Sequence, residues 1–205
     1  MRARAGAGLA AAGALLGGAL WWRAHPSACP YGQRFWVEAP HPLITRARLR
    51  EVLAPRAGER VLEIGPGTGY YTLDIAAWVA PGRVDIYDIQ REMLDHTLRR
   101  ARERGVDNVT ATQGDARRLP YADASFDAVC LITVLGEIRD QDAALREIAR
   151  VLAPGGRLVV GELFGDPHWV SPRRLRERAA GARLTFVERS GSALGYFARF
   201  ERGAA

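Results

Sequence analysis

The sequence predicts an α/β fold, a doubly wound and mostly parallel seven-stranded sheet that ends in an antiparallel strand pair. Three observations carry this. Short apolar runs alternate with stretches of helical spacing, punctuated by glycine and proline, which is the pattern of parallel strands joined by crossover helices. The first run opens onto a glycine-rich turn, the place where open sheets of this kind bind ligands. The last two runs are separated only by residues 189–195, too short a span for a helical crossover, so they are expected to pair antiparallel.

The elements follow in chain order. Residues 5–22 hold no charge and are rich in alanine and glycine, with Arg4 and Arg23 at the flanks and Trp21-Trp22 at the end. As a helix this stretch would span roughly 27 Å, close to the ~30 Å of a bilayer core. Residues 1–24 are therefore read as a hydrophobic leader and membrane anchor, ahead of an Ala/Gly extension or a secretory signal. Residues 25–41, with Tyr31, Phe35 and Trp36, form a Pro/aromatic linker or cleft cover, and 42–205 are the folded body. There, 61–64 reads as strand and 68–80 as helix, stopped by Pro81-Gly82. Strand 83–88, helix 90–104 and strand 109–113 follow. Strand 128–133, helix 141–152 ended by Pro154-Gly155-Gly156, and strand 158–162 continue the cycle. A helix over 171–180 starts at Ser171-Pro172, before the final strands 184–188 and 196–201.

Charge and composition exclude several functions. All 29 residues in the Lys+Arg count are arginine. A chain without lysine can build neither a P-loop, nor a Schiff-base site, nor the Tyr-Lys dehydrogenase pair. The net charge of +6 resides in residues 1–50, which hold seven arginines and the single acid Glu38, so the body is neutral. That argues against nucleic acid as the partner, since such enzymes spread basic charge over the working face. Cys29 and Cys130 lie far apart with no metal-ligand spacing around them, so neither a disulfide framework nor a metal site is expected.

The chemistry concentrates in Glu63-Ile64-Gly65-Pro66-Gly67-Thr68-Gly69. Glycines here let backbone approach a ligand closely. The register is Gly-x-Gly-x-Gly, and the third glycine of a dinucleotide fingerprint falls on Tyr70, which disfavours nicotinamide. Asp88, at the end of the second strand, is placed to accept both hydroxyls of a ribose.

Together these blocks resemble the class I S-adenosylmethionine-dependent methyltransferases from about Arg46 to the C-terminus. Residues 61–69 resemble the first motif and Asp88-Ile89 with Met93-Leu94 the second. Gly114-Asp115-Ala116, Leu119-Pro120-Tyr121 and 125–129 resemble the third, and 150–156 the loop before the fifth strand. The pattern is closest to small-molecule enzymes of quinone biosynthesis, and the Rossmann-like methyltransferase fold is what the resemblance implies. It further implies that Glu63 and the backbone of Gly65, Gly67 and Gly69 hold the methionine part of S-adenosylmethionine. Asp88 would bind the ribose, Ile89 would pack on adenine, and Asp115 with Ala116 would meet the adenine edge. Methyl transfer needs mainly alignment and exclusion of water, so a base is optional; Glu137 and His168 are the weak candidates. Arg173, Arg174, Arg176 and Arg178 scatter around their helix and read as solvated surface rather than an anion site. The expected enzyme is a methyltransferase for a small, lipophilic acceptor with its body in the cytoplasm, tethered to the membrane. A non-catalytic cofactor-binding module and a nicotinamide oxidoreductase are the alternatives.

Overall fold

The computed structural model describes residues 25–203, the Trp36 side chain excepted. The expected anchor at 5–22 lies outside them; among the described residues no helix is long and apolar enough to cross a membrane. Seven strands form one sheet: β1 (Arg60–Ile64), β2 (Arg83–Asp88), β3 (Val109–Gln113), β4 (Phe126–Ile132), β5 (Leu152–Leu163), β6 (Leu184–Gly191) and β7 (Gly195–Arg202). Their order is β3-β2-β1-β4-β5-β7-β6. The first five are parallel, and β7 inserts antiparallel between β5 and β6.

Among the described residues six α-helices accompany the strands: α1 (Phe35–Glu38), α2 (Arg46–Leu53), α3 (Thr72–Val79), α4 (Arg91–Glu103), α5 (Gln141–Val151) and α6 (Pro172–Gly181). Alternation along the strands sends side chains to two cores. Val61, Val84, Ile86, Ala128, Cys130 and Val159 pack under α2, α3 and α4. Leu62, Val129, Leu131, Leu158, Val160 and Phe200 pack under α5 and α6. Because β1 leads into α3 on one face and β4 into α5 on the other, the chain splays apart at the carboxyl ends of these adjacent strands. No helix covers the β3–β4 connection; instead Leu119 of that loop closes the second core.

Local chemistry explains the helix starts. Thr45, Asp140 and Ser171 accept from the backbone N–H of Arg48, Ala143 and Arg174, capping α2, α5 and α6. Pro172 occupies the first turn of α6, where its missing N–H costs nothing.

Two boundaries differ most from the sequence reading. The helix expected over 68–80 begins only at Thr72, because Gly67 and Gly69 adopt positive φ and Gly69 N–H turns back to Pro66 O. The strand expected over 158–162 starts at Leu152, where Leu152 pairs with Phe126 ahead of a register shift. Helix α2, absent from the sequence reading, buries Leu49, Val52 and Leu53.

At the amino ends of the strands, Arg157 is 5% exposed and clamps Glu59 through two bonds, Nη1–Oε1 at 2.9 Å and Nη2–Oε2 at 2.6 Å. The same guanidinium donates to the carbonyls of Leu53 and Ala54 at the end of α2. Burial alone would raise Glu59, but the Arg157 bonds and charge prevail and hold it below its ordinary 4.5. Arg157→Ala would leave Glu59 buried without its partner, and is expected to cost about 3–5 kcal/mol in urea denaturation. A carboxyl depressed in the fold stabilises it above its unfolded value. The difference between wild type and variant should therefore shrink as pH falls through the acid range below 4.5.

Candidate active site

The carboxyl edge of the sheet gathers the segments that follow β1, β2, β3, β4 and β5. After β1, Gly65, Gly67 and Gly69 have φ of +68°, +56° and +77°. Such a turn is strained for any residue with a Cβ. The space beside it is partly the protein's own. A methyl on Gly65 would overlap the side chain of Val134, one on Gly67 would come within 2.6 Å of Val37 Cγ1, and one on Gly69 within 2.8 Å of Thr97 Cγ2. The glycines thus satisfy backbone conformation and close packing before any ligand enters the account. Inside the turn, Thr68 is fully buried and its Oγ1 has no hydrogen-bond partner among the described residues.

Glu63 lies beneath this turn. It is 2% exposed and accepts from Thr72 Oγ1 at 2.5 Å, which ties β1 to the first turn of α3. Burial pushes its carboxyl up to about 7 against that one hydrogen bond.

Asp88 closes β2 at 9% exposure. Its Oδ1 accepts from Gln90 N–H at 2.8 Å. Burial pushes the carboxyl up to about 6, opposed by the backbone N–H groups of Gln90 and Ile89. The next residue, Ile89, is one of the few large apolar side chains more than half exposed, at 56%, an open face for a flat ring. After β3, Asp115 behaves differently from a free acceptor. Its two oxygens receive Arg117 Nε and Nη2, and Oδ1 also takes the Arg117 backbone N–H. Ala116 beside it is buried.

After β4, Thr133 has φ +57°, a strained conformation for a β-branched residue, and it delivers Val134 against Gly65. Three residues on stands Glu137. Its carboxyl is pushed up to about 8, first by burial and then by the nearby charge of Asp166 and Asp88. His168 is buried in the loop after β5; its backbone N–H bonds Asp166 Oδ1 at 2.6 Å, and its carbonyl packs on Gly136. Asp166 and Glu162 are likewise raised by burial. Four acids therefore line this edge in poorly solvated places.

The Pro/aromatic segment crosses the same edge. Glu137 Oε1 accepts from Cys29 N–H at 3.2 Å. Gln90 donates through Nε2 to Cys29 O at 2.9 Å, and its Oε1 accepts from Tyr31 N–H at 3.1 Å. Tyr31 Oη meets His96 Nδ1 at 3.1 Å. The backbone of this strap therefore spans from the loop after β4 to the loop after β2, with Val37 on Gly67. Neither Gln90 nor Val37 stood out in the sequence; the step-lock of Gln90 with Asp88 was the one available hint.

This sheet order, the glycine turn and the acid-ended second strand are the arrangement that the resemblance to class I S-adenosylmethionine-dependent methyltransferases implies. A family model described as "Methyltransferase domain" matches residues 61–156. Among curated proteins, the chain is similar to the ubiquinone/menaquinone biosynthesis C-methyltransferase of Cellvibrio japonicus, 41% identical over 120 residues, 58% of this chain and 48% of that protein. The chain thus spans about half the length of the curated relatives it matches. Among solved structures, a SAM-dependent methyltransferase from Aquifex aeolicus shares the fold at TM-score 0.79 and 16% identity, covering 85% of this chain and 100% of that one. The [4+2]-cyclase SpnF shares it at TM-score 0.71 and 22% identity, over 78% of this chain and 80% of that one.

Two outcomes follow from the turn. Gly67→Ala should lose about 2 kcal/mol of stability in urea denaturation, from the left-handed backbone and the displaced Val37. Glu63 holds its proton more tightly folded than unfolded, so stability should fall by about 3 kcal/mol as pH rises from 4.5 to about 7. Glu63→Gln should flatten that slope and be the more stable form at pH 8, read from urea midpoints across pH.

Proposed function

We propose that this chain transfers a methyl group from S-adenosylmethionine to a small aromatic acceptor of quinol or phenol type. The observation that carries the reading is the left-handed Gly65–Gly69 turn beside the buried Asp88 carboxylate, at the point where β1 and β4 send their helices to opposite faces. The residues present fit the cofactor: bare backbone in the turn, the orphaned Thr68 hydroxyl within it, an acid for a diol, an exposed Ile89, and carboxylates suited to a cation. When bound, S-adenosylmethionine supplies a methyl group on a sulfonium, reactive toward a nucleophilic carbon or oxygen.

The protein's own part is holding and shielding. The backbone of Gly65, Gly67 and Gly69 takes the methionine portion, with Glu63 bracing the turn through Thr72. Asp88 takes the ribose hydroxyls and Ile89 one face of adenine. Because the Asp115 carboxylate is committed to Arg117, the adenine edge falls to the backbone of Asp115 and Ala116. The strap from Cys29 to Val37 excludes water. Glu137, raised to about 8, accepts the proton of a phenolic or enolic acceptor, and His168 frames the acceptor side. The quinone-related acceptor rests on the relatives' activity. Residues 5–22 would tether the body to the cytoplasmic face of the membrane in which such an acceptor dissolves; sedimentation of the full chain with membranes, reversed by detergent, checks this.

Calorimetry with S-adenosylhomocysteine should give a one-to-one complex, and Asp88→Ala should weaken it about 10- to 100-fold, the loss of charge-assisted bonds. Unchanged affinity would remove Asp88 from the site. With quinol and phenol acceptors, turnover should rise with pH through about 8, because the base is the carboxylate form of Glu137. Glu137→Gln should lower the rate and abolish that limb; a variant retaining it would assign the base elsewhere.

A further inference from the structure

One corner of the carboxyl edge is built from three segments without an Asp, Glu or Arg: residues 39–45 ahead of α2, residues 163–165 at the end of β5, and residues 190–198 around the β6–β7 turn. They are packed on one another. Phe164 N–H donates to Leu194 O at 2.9 Å, Gly195 pairs with Leu163, and a methyl on Gly195 would come within 2.5 Å of Leu43 Cβ. Phe164 and Leu194 are 57% and 54% exposed, and Pro42 and Ala193 in the same segments are exposed as well. In a chain with 25% charged residues, neighbouring uncharged segments that present large apolar side chains to water mark a surface that is covered in use.

The distribution of such side chains over the molecule is uneven. Five large apolar side chains are exposed among the described residues. Phe35 belongs to the strap, and Ile89, Phe164 and Leu194 to loops at the carboxyl edge; Val187 lies apart from them, on the edge strand β6.

The course of the chain indicates what covers the corner. Pro26 lines one cleft with Pro167 and Trp169, and the Trp169 ring meets Phe164 edge-on with centroids 5.3 Å apart. The described chain therefore begins beside this corner. Only Arg23, Ala24 and His25 stand between Pro26 and Trp22, the end of the uncharged segment 5–22, and so few residue steps reach at most about 14 Å. An apolar segment closed by a tryptophan pair suits the interfacial layer of a bilayer, and it joins the body next to the body's own apolar corner.

We propose that this corner is a lipid-docking surface, on which Phe164 and Leu194 enter the interfacial layer of a phospholipid bilayer and the carboxyl edge faces the membrane. Two partly exposed side chains hold a bilayer weakly, and residues 5–22 raise their effective concentration there. Docking itself follows from the surface. Its use, the passage of a lipid-dissolved acceptor into the cleft, rests on the methyltransferase reading above.

The test uses the full chain with phosphatidylcholine vesicles. A bimane fluorophore is attached at Leu194→Cys and, for comparison, at Arg104→Cys, an exposed position after α4 at the opposite edge of the sheet. Both are made in a Cys29→Ser background, because Cys29 serves the strap through its backbone; Cys130 is buried. Vesicles with brominated acyl chains should quench the label at position 194 about 3-fold or more above that at position 104. Phe164→Ser should lower the quenching of the former at saturating lipid about 2-fold or more, with S-adenosylhomocysteine affinity and the urea midpoint unchanged. Equal quenching at both positions, no quenching at position 194, or quenching indifferent to Phe164→Ser would overturn the docking surface and leave methyl transfer intact. Protection of the position-194 label from iodide as protein concentration rises, without vesicles, would assign the corner to a second copy of the chain and equally overturn the proposal. Failure of the wild type to bind S-adenosylhomocysteine would remove the methyltransferase reading and leave the docking result standing.

Discussion

The reversal of strand order between β1 and β4 governs everything at the carboxyl edge. Adjacent parallel strands whose helices leave on opposite faces cannot close the gap between their ends, and the chain must turn sharply there without filling it. Three glycines at positive φ make that turn after β1, and their lack of side chains lets Val134 from β4's loop, Val37 from the strap and Thr97 from α4 close in around it. A residue with a Cβ at any of them would push one of these neighbours away. The turn is thus where the sheet, both helical layers and the strap meet.

Electrostatics divides the edge into two regions. Asp88, Glu137, Glu162 and Asp166 sit where burial raises each carboxyl. Ionising all of them together is costly, and a cation among them would favour their charged forms. Behind Glu137 the surface carries Arg139, Arg174 and Arg178, the first two exposed and the third paired with Asp142.

The central strands were legible because their side chains are buried on both faces, which writes β1 and β4 as apolar runs; 83–88 and 109–113 match residue for residue, although the edge strand β3 has no fully buried residue. Glycine and Asp88 positions were readable for the same reason, since backbone demands local residue types. What could not be read depends on packing between distant segments. Val134 against Gly65 and the strap's bonds to Gln90 and Glu137 join residues tens of positions apart. Asp115 looked free as a letter and is held by Arg117 two residues away, a local pair that a Gly-Asp-Ala-Arg pattern could have suggested. Helix α2 was also visible in principle, through Thr45 as cap and Leu49, Val52 and Leu53 on one face, but its three arginines disguised the stripe.

A shared fold does not by itself choose a reaction, and the [4+2]-cyclase with the same architecture makes the point. What selects among reactions is the set of groups delivered to the acceptor side, and here these come from three separate pieces of chain: the turn after β4, the loop after β5 and the strap. Cys29 bonds Glu137 with its N–H and Gln90 with its carbonyl, while Gln90 N–H holds Asp88. One run of hydrogen bonds therefore links the carboxyl assigned to the ribose with the carboxyl assigned to the proton. Displacing the strap would break both bonds of Cys29, exposing Glu137 to water and lowering the carboxyl that burial had raised. The raised proton affinity of Glu137 is thus a property of the closed arrangement rather than of Glu137 alone.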